Sequence, residues 1–191
     1  KISLNSAYGA IGNAYFRYHS HLIAEGITTS GQLSIRWIES DINRYLNKIM
    51  GTDKEDYVIA SDTDSVYVVL DRYVSQKFKS EPDTTTIINE LDRFAKEDIE
   101  PIIDKSYQNL ASYLNCHSQR MNMKREVIAD KGIWTAKKRY ILNAHDVEGV
   151  RYKEPTLKIM GIEAVKSSTP APCRQKIKEA LKIIMSGDEK M

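Results

Sequence analysis

The sequence is poor in cysteine and contains no long apolar run. Its two cysteines, Cys116 and Cys173, belong to no CxxC motif and no repeated pattern, which argues against a disulfide scaffold and suits a reducing compartment. We interpret both as packing or surface residues. A signal-peptide pattern and a run of about eighteen apolar residues are also absent. We therefore expect a cytosolic type of protein, neither secreted nor inserted in a membrane.

The sequence also lacks a strong charge of one sign. The 28 Lys and Arg residues oppose 26 Asp and Glu residues, which leaves a formal net charge of +2. This charge is too small to indicate a nucleic-acid partner by itself, so binding of any anion must depend on local clusters. The 191 residues, 41% of them hydrophobic, are enough for one domain, or one and a half, with a sizeable core.

Helical periodicity is present in three regions. Residues 28–50 are predicted to form a long amphipathic helix that stops at Gly51. A second helical region is predicted over about 86–114, and Pro101 should kink or break it because proline cannot donate a helical hydrogen bond. A last helix is predicted over 171–185.

Runs rich in β-branched and aromatic residues predict the strands. Residues 57–60 and 66–70 are predicted to form a hairpin around the turn SDTDS. After Met121 we predict four strands, in MKREVIAD, GIWTAKK, RYILNAH and TLKIMG. Strands in hairpin order, flanked by helices, favour an α+β domain with an antiparallel sheet over a parallel βαβ array.

The turn SDTDS places Asp62 and Asp64 two residues apart. Residues i and i+2 of a strand face the same side, so both carboxylates are predicted to point into one small volume. Two like charges held together need a cation, and Mg²⁺ takes carboxylate oxygens and completes its shell with phosphates and water. Asp, Thr and Ser are also common turn formers, which explains the same residues without an ion. Val66, Val68 and Val69 favour the metal site, because they predict a rigid core hairpin.

The opening segment KISLNSAYG places polar groups at helical spacing. In a helix, Lys1, Asn5, Tyr8 and Gly12 would lie on one stripe. An ammonium, an amide and a flat ring suit a ligand that is both anionic and aromatic. Without further evidence, the same residues on one helical face are more often simply a solvated surface.

Three segments occur in an order that resembles the family B DNA polymerases: KISLNSAYG, the DTDS that follows a strand, and KKRY at 137–140. The wider segments GIWTAKKRY, LKIMGIE and KSSTP are similar to the T4-type bacteriophage replicative polymerases, over essentially the whole chain. The resemblance implies a polymerase palm with an antiparallel sheet flanked by helices. It divides the chain into the end of the fingers (1–22), the palm (23–170) and a thumb or linker helix (171–191).

The resemblance also implies roles for individual residues. Lys1 and Asn5 would hold the triphosphate of an incoming nucleotide, and Tyr8 would line the nascent base pair. Asp64 matches the metal-binding aspartate of the family, and Asp62 matches an aspartate close to the metals.

The KKRY element resembles the part of these polymerases that follows the newly formed duplex. Lys138 would donate to minor-groove acceptors, and Lys137 and Arg139 would contact phosphates or acidic groups, with Tyr140 in the same element. Glu126 aligns with a palm carboxylate near the metals. A basic cluster of this kind is also typical of a solvated surface, and an isolated glutamate is most often plain surface.

The partners and cofactors follow from the same resemblance. They are two Mg²⁺ ions, primer–template DNA, deoxynucleoside triphosphates, the remaining polymerase domains and, through the complete protein, a sliding clamp. The expected location is the cytoplasm of a bacterial host cell.

Two features depart from the family pattern. Ala60 and Ser61 stand where many relatives have the YG of YGDTDS, so we expect a different backbone there. A DxxSLYPS-like element with the second metal-binding aspartate is missing. We therefore expect the isolated chain to be a largely or wholly inactive fragment of a polymerase. The alternative is a non-catalytic module that binds duplex DNA and has a vestigial metal site.

Overall fold

The computed structural model describes residues 2–78 and 82–187, without the side chains of residues 2–5. The chain divides into two compact units. Unit 1 comprises Lys1–Lys77 and Pro101–Met123, and unit 2 comprises Phe78–Glu100 and Lys124–Met191. Both sheets are antiparallel and the remaining elements are mostly helical, which confirms the predicted α+β class.

Two helices open unit 1: α1 spans Ile2–Gly12 and α2 spans His21–Met50. The hydroxyl of Ser20 accepts the N–H of Ile23 at 3.4 Å and caps the start of α2. Gly51, with a φ of 64°, ends α2 as predicted. The predicted start at Thr28 was wrong. The first turns of α2 expose their large apolar residues, Leu22, Ile23 and Ile27, so they carry no clear amphipathic period.

The second helical region has three parts. After the short helix α3 (Asp71–Lys77), α4 spans Thr84–Phe94, a π-helical turn spans Ala95–Ile99, and α5 spans Glu100–Tyr113. The N–H of Glu100 donates to the carbonyl of Ala95, five residues back. The predicted irregularity is therefore a π-helical turn directly before Pro101, which has no N–H to donate.

The core of unit 1 lies along one stripe of α2. Ile38, Ile42 and Leu46 are at most 2% exposed and follow one another at a spacing of four residues. The buried hydroxyl of Ser106 on α5 donates to the carboxylate of Asp41 on α2. This hydrogen bond joins the two helices beside the apolar core.

The predicted hairpin forms, with different bounds. Strand β1 spans Val58–Asp62 and β2 spans Ser65–Val68, and the two pair antiparallel. The expectation of a core hairpin was wrong in detail, because Val66, Val68 and Val69 are half-buried.

Unit 2 contains a three-stranded antiparallel sheet in the order β3-β4-β5. The strands span Val127–Ala136, Arg139–Val147 and Val150–Met160. The four predicted strands are thus three, because Gly132 lies within β3 and does not end it. The central strand β4 carries much of the buried sheet surface: Tyr140, Ile141, Leu142, Ala144. A 3₁₀ turn (Glu163–Val165) and helix α6 (Ala171–Ser186) complete the unit, and α6 matches the predicted helix closely.

Within residues 2–78 and 82–187, every helix is too short or too polar to cross a bilayer. Cys116 and Cys173 are free and exposed, which confirms the interpretation of both as packing or surface residues.

Candidate active-site hairpin and nucleic-acid interface

The acidic pair of unit 1 lies at the tip of the β1–β2 hairpin. Asp62 is the last residue of β1 and pairs with Ser65, so Thr63 and Asp64 form a two-residue connection. The N–H of Asp64 donates to the carbonyl of Asp62 at 2.6 Å. The hydroxyl of Ser65 donates to the same carbonyl at 3.1 Å. These two hydrogen bonds hold the tip in one conformation.

Thr63 adopts an unusual backbone conformation between the two aspartates. Its φ is 54°, in the left-handed region that β-branched residues rarely enter. Such a conformation costs on the order of 1–3 kcal/mol and is concentrated at functional sites. The prediction that strand alternation points both carboxylates to one side was wrong, because Asp64 lies in the turn and not in a strand. The turn itself, and not the pleat, positions the Asp64 side chain.

The two carboxylates are available for a cation. Asp64 is exposed and Asp62 is half-buried. Neither forms an ion pair within the part of the chain that the structure describes, although the hydroxyl of Thr63 donates to Asp62 at 3.0 Å. Carboxylate oxygens fit Mg²⁺, but the described residues contain no group of three or more His, Cys, Asp or Glu that could hold a metal by itself. A bound Mg²⁺ would therefore need ligands from beyond these residues, from phosphate or from water.

The charge of this hairpin affects the pKa of Tyr107 on α5. Burial raises the pKa of the Tyr107 phenol, and the negative charge of Asp64 raises the pKa further. Tyr107 is only 4% exposed. The field of Asp64 thus extends into the core of unit 1.

Ala60 and Ser61 do not distort the hairpin where the family glycine is missing. They pair with Tyr67 and Val66, and neither has a positive φ. The β-bulge lies earlier, between Val58 and Ala60. A glycine is therefore not required at either position, since both residues form ladder pairs without a positive φ. A difference from the backbone of the relatives stays a prediction.

The basic cluster of unit 2 lies at the tip of another hairpin. Lys137 and Lys138 connect β3 to β4, with Ala136 paired to Arg139. Lys138 has a φ of 60°. Both lysines and Arg139 are exposed. The turn and the first residue of β4 therefore present three cationic side chains in succession, and Lys and Arg are residue types that contact phosphates in nucleic-acid interfaces.

Tyr140 differs from the rest of the KKRY element. It is 8% exposed, and its ring lies 6.5 Å from the ring of Trp134, centroid to centroid. A buried ring of this kind anchors the start of β4, so any part of Tyr140 in binding DNA is indirect in this conformation.

Glu126 of unit 2 lies at the edge of a polar cleft of about 690 Å³, lined by charged residues that include Glu100, Lys124 and Glu148. Its carboxylate pairs with the ammonium of Lys158. A metal ion at Glu126 would compete with this lysine for the charge of the carboxylate.

The nucleotide-binding candidates lie in α1. The helical conformation considered for the opening segment is present over Ile2–Gly12, and Tyr8 on it is 44% exposed. Lys1 lies outside the described residues, as does the side chain of Asn5. Their common stripe therefore stays a prediction.

Comparison with known proteins finds similarity along nearly the whole chain. No protein-family model matches. The DNA-directed DNA polymerase of Escherichia phage RB69 is 44% identical over 198 residues, which cover 99% of this chain and 22% of the relative. The DNA-directed DNA polymerase of Enterobacteria phage T4 is 43% identical over 202 residues, with the same shares of each chain. The chain belongs to the T4-like phage DNA polymerases. It spans 22% of the length of these two relatives.

One further cluster of this polymerase segment was missed by sequence reasoning. Asp146, on β4, is 1% exposed. It accepts hydrogen bonds from Arg125, from Nε of Arg151 at 2.6 Å and from the N–H of Gly149 at 2.9 Å. Arg125 also donates to Asp92 of α4 at 2.5 Å. This ionic cluster joins α4 to the sheet of the polymerase segment. Its members are far apart in sequence, and no local pattern predicts them.

Proposed function

We propose that this chain is the palm, with the end of the fingers, of a family B DNA polymerase that adds deoxynucleotides to a primer on a DNA template. The proposal rests on the tip of the β1–β2 hairpin. Two carboxylates without an ion-pair partner among the described residues flank a strained Thr63, in a chain that aligns along 99% of its length with two phage DNA polymerases. The division into residues 1–22, 23–170 and 171–191 is part of this proposal.

In the proposed mechanism, Asp64 is a direct Mg²⁺ ligand and Asp62 lies close to the metals, with Glu126 as a further candidate. When bound, two Mg²⁺ ions would neutralise charge on the phosphates and favour the deprotonated primer 3′ oxygen. The chain itself would position the reactants, and no side-chain nucleophile is required. Thr63 and the hydrogen bonds of the tip fix the Asp64 backbone before any metal arrives, which reduces the entropy lost on binding.

The substrates would be held by the two other candidate regions. Lys1 and Asn5 would contact the triphosphate of the incoming nucleotide, and Tyr8 would line the nascent base pair. The exposed Lys138 would donate to minor-groove acceptors that occur at every base pair, so it would test pair geometry without reading sequence. Lys137 and Arg139 would contact phosphates.

The remaining partners belong to the complete protein. We propose exonuclease, fingers, palm and thumb parts beyond this chain, a sliding clamp, and action inside the infected host cell. The second metal-binding aspartate would come from one of these parts, and the isolated chain would then be inactive.

A second candidate is a duplex-binding module without catalysis. It is favoured by the lack of a complete metal-ligand group among the described residues. In that case the KKRY turn would bind DNA while the acidic tip has no metal.

Primer extension separates the two candidates. We define the chimeric polymerase as the RB69 enzyme with its matching stretch replaced by this chain. With Mg²⁺ and all four deoxynucleotides, the chimeric polymerase is expected to extend a primer, and this chain alone is not. Adding a polypeptide that carries the missing aspartate element to this chain is expected to restore part of the extension. A chimeric polymerase that folds and binds duplex but never extends would contradict the enzymatic role and favour the duplex-binding module.

A further inference from the structure

Gly161, directly after β5, makes an unusually close contact with the KKRY turn. Its φ is 67°, in the left-handed region. A Cβ atom added to Gly161 would lie 2.1 Å from the carbonyl oxygen of Lys138 and 3.1 Å from its carbonyl carbon. The obstacle is main chain, so no change of side-chain rotamer relieves it. Only glycine allows the end of β5 to support the turn at this distance.

The same segment also holds the next residue of the turn. The added Cβ would lie 3.2 Å from Cγ of Arg139. The guanidinium of Arg139 lies 3.9 Å from the carboxylate of Glu163. That carboxylate accepts a hydrogen bond from Lys166 at 2.9 Å, and this bond holds the pKa of Glu163 below its ordinary value. Backbone and side-chain contacts of residues 161–163 therefore act on Lys138 and Arg139 together.

The contact between Gly161 and the Lys138 carbonyl limits the positions that the Lys138 ammonium can reach. Lys138 is exposed and sits at a φ of 60° in a two-residue connection. Its long side chain is flexible, so the backbone is the part that the protein can hold in place. A turn that moves freely would lose more conformational entropy when it binds a ligand than a turn held against β5.

We propose that Gly161 is a positioning residue for duplex nucleic acid: its missing side chain lets β5 hold the Lys138 carbonyl, and so sets where the Lys138 ammonium meets the groove. This inference rests on the proposed duplex-binding role of Lys138. Gly161, the glycine of LKIMGIE, would act on the duplex only through its contact with the KKRY turn.

The test compares Gly161→Ala with Gly149→Ala in the chimeric polymerase. Gly149 has a φ of 86°, but an added Cβ there meets nothing within 4 Å. Both variants therefore strain a turn of the same sheet, and only one of them meets the Lys138 carbonyl. Gly161→Ala is expected to weaken duplex binding about 10-fold at one fixed salt concentration. Gly149→Ala is expected to change it less than about 2-fold. Amide hydrogen exchange of residues 134–142 should rise in Gly161→Ala alone.

A double-mutant cycle shows whether the effect passes through Lys138. Lys138→Ala by itself is expected to weaken duplex binding about 10-fold. Adding Gly161→Ala to it should weaken binding no further. Independent, multiplicative losses would overturn the proposal. If Lys138→Ala weakens binding and Gly161→Ala does not, the positioning role of Gly161 fails and the proposed duplex role of Lys138 stands. If Lys138→Ala leaves binding unchanged, the proposed duplex role of Lys138 fails and the inference fails with it.

A second variant loosens the turn without a clash, in case Gly161→Ala prevents folding. One glycine inserted between Lys137 and Lys138 lengthens an exposed connection, which proteins usually tolerate. It is expected to weaken duplex binding about as much as Lys138→Ala does, and to have no effect when Lys138 is already alanine. Unchanged binding after the insertion would overturn the proposal.

Discussion

Asp64→Asn is expected to reduce Mg²⁺-dependent primer extension by the chimeric polymerase at least about 1,000-fold, while duplex binding changes less than about 2-fold. Asparagine keeps the size of the side chain and can occupy the same turn position. It removes the negative charge that a hard cation requires, so the loss should fall on catalysis and not on folding. The measurement is single-turnover extension, together with duplex affinity at the same salt concentration.

Asp53→Asn is the matched control for Asp64→Asn. Asp53 is also an exposed carboxylate of unit 1 outside the regular elements, and its substitution should leave extension within about 2-fold of the parent. Asp62→Asn is expected to cost less than Asp64→Asn, because Asp62 is placed near the metals and not as the main ligand. Equal extension by Asp64→Asn and the parent would rule out the proposed metal role.

Asp146→Asn is expected to destabilise the chain by about 3 kcal/mol at pH 7, the largest stability effect that we predict. The buried carboxylate accepts from Arg125 and Arg151 at once. An amide offers one oxygen, and its NH₂ group would face a guanidinium, so Arg125 or Arg151 would lose one of its acceptors, although both keep contacts with Asp92. The measurement is urea unfolding of the 191-residue chain.

Glu179→Gln provides the control for Asp146→Asn. Glu179 accepts from Lys176 on the exposed surface of α6 at 2.7 Å, and its loss should change the free energy of unfolding by less than about 0.5 kcal/mol. If both variants were equally stable, the buried cluster would not be the element that joins α4 to the sheet.

The effect of Asp146→Asn also depends on pH in a defined direction. Burial by itself raises the pKa of Asp146, but hydrogen bonds from Arg125, Arg151 and the N–H of Gly149 outweigh burial and hold this pKa below its ordinary value of 3.8. A carboxyl with a lowered folded-state pKa adds stability above its unfolded pKa and loses that stability as the pH falls toward the folded one. The stability difference between parent and variant should therefore be full at neutral pH and shrink below pH of about 4. A difference that grew on acidification would contradict this assignment.

Local patterns predicted most of the helices and strands. The buried stripe of α2 repeats at helical spacing, and Gly51 ends it in the left-handed conformation that glycine favours. The same reasoning failed for the first turns of α2, where Leu22 and Ile23 are exposed. These turns bury only the small side chain of Ala24 among their apolar residues, which leaves little amphipathic signal in the sequence. The split of β3 at Gly132 was wrong for a related reason. An added Cβ there would lie 2.7 Å from the Trp134 ring, so this glycine makes room for packing and does not end the strand.

The sequence by itself determined the family, the α+β class and the charged residue types at the two hairpin tips, because residue types and their order along the chain carry that information. Only the tertiary structure decided how those tips are built. Thr63 takes the left-handed conformation beside Asp64, Gly161 approaches the Lys138 carbonyl, and Asp146 gathers two arginines in a buried cluster. The Thr63 conformation belongs to a tight turn held by local hydrogen bonds, and the other two features are contacts between residues distant in sequence. None of the three leaves a periodic trace in the sequence.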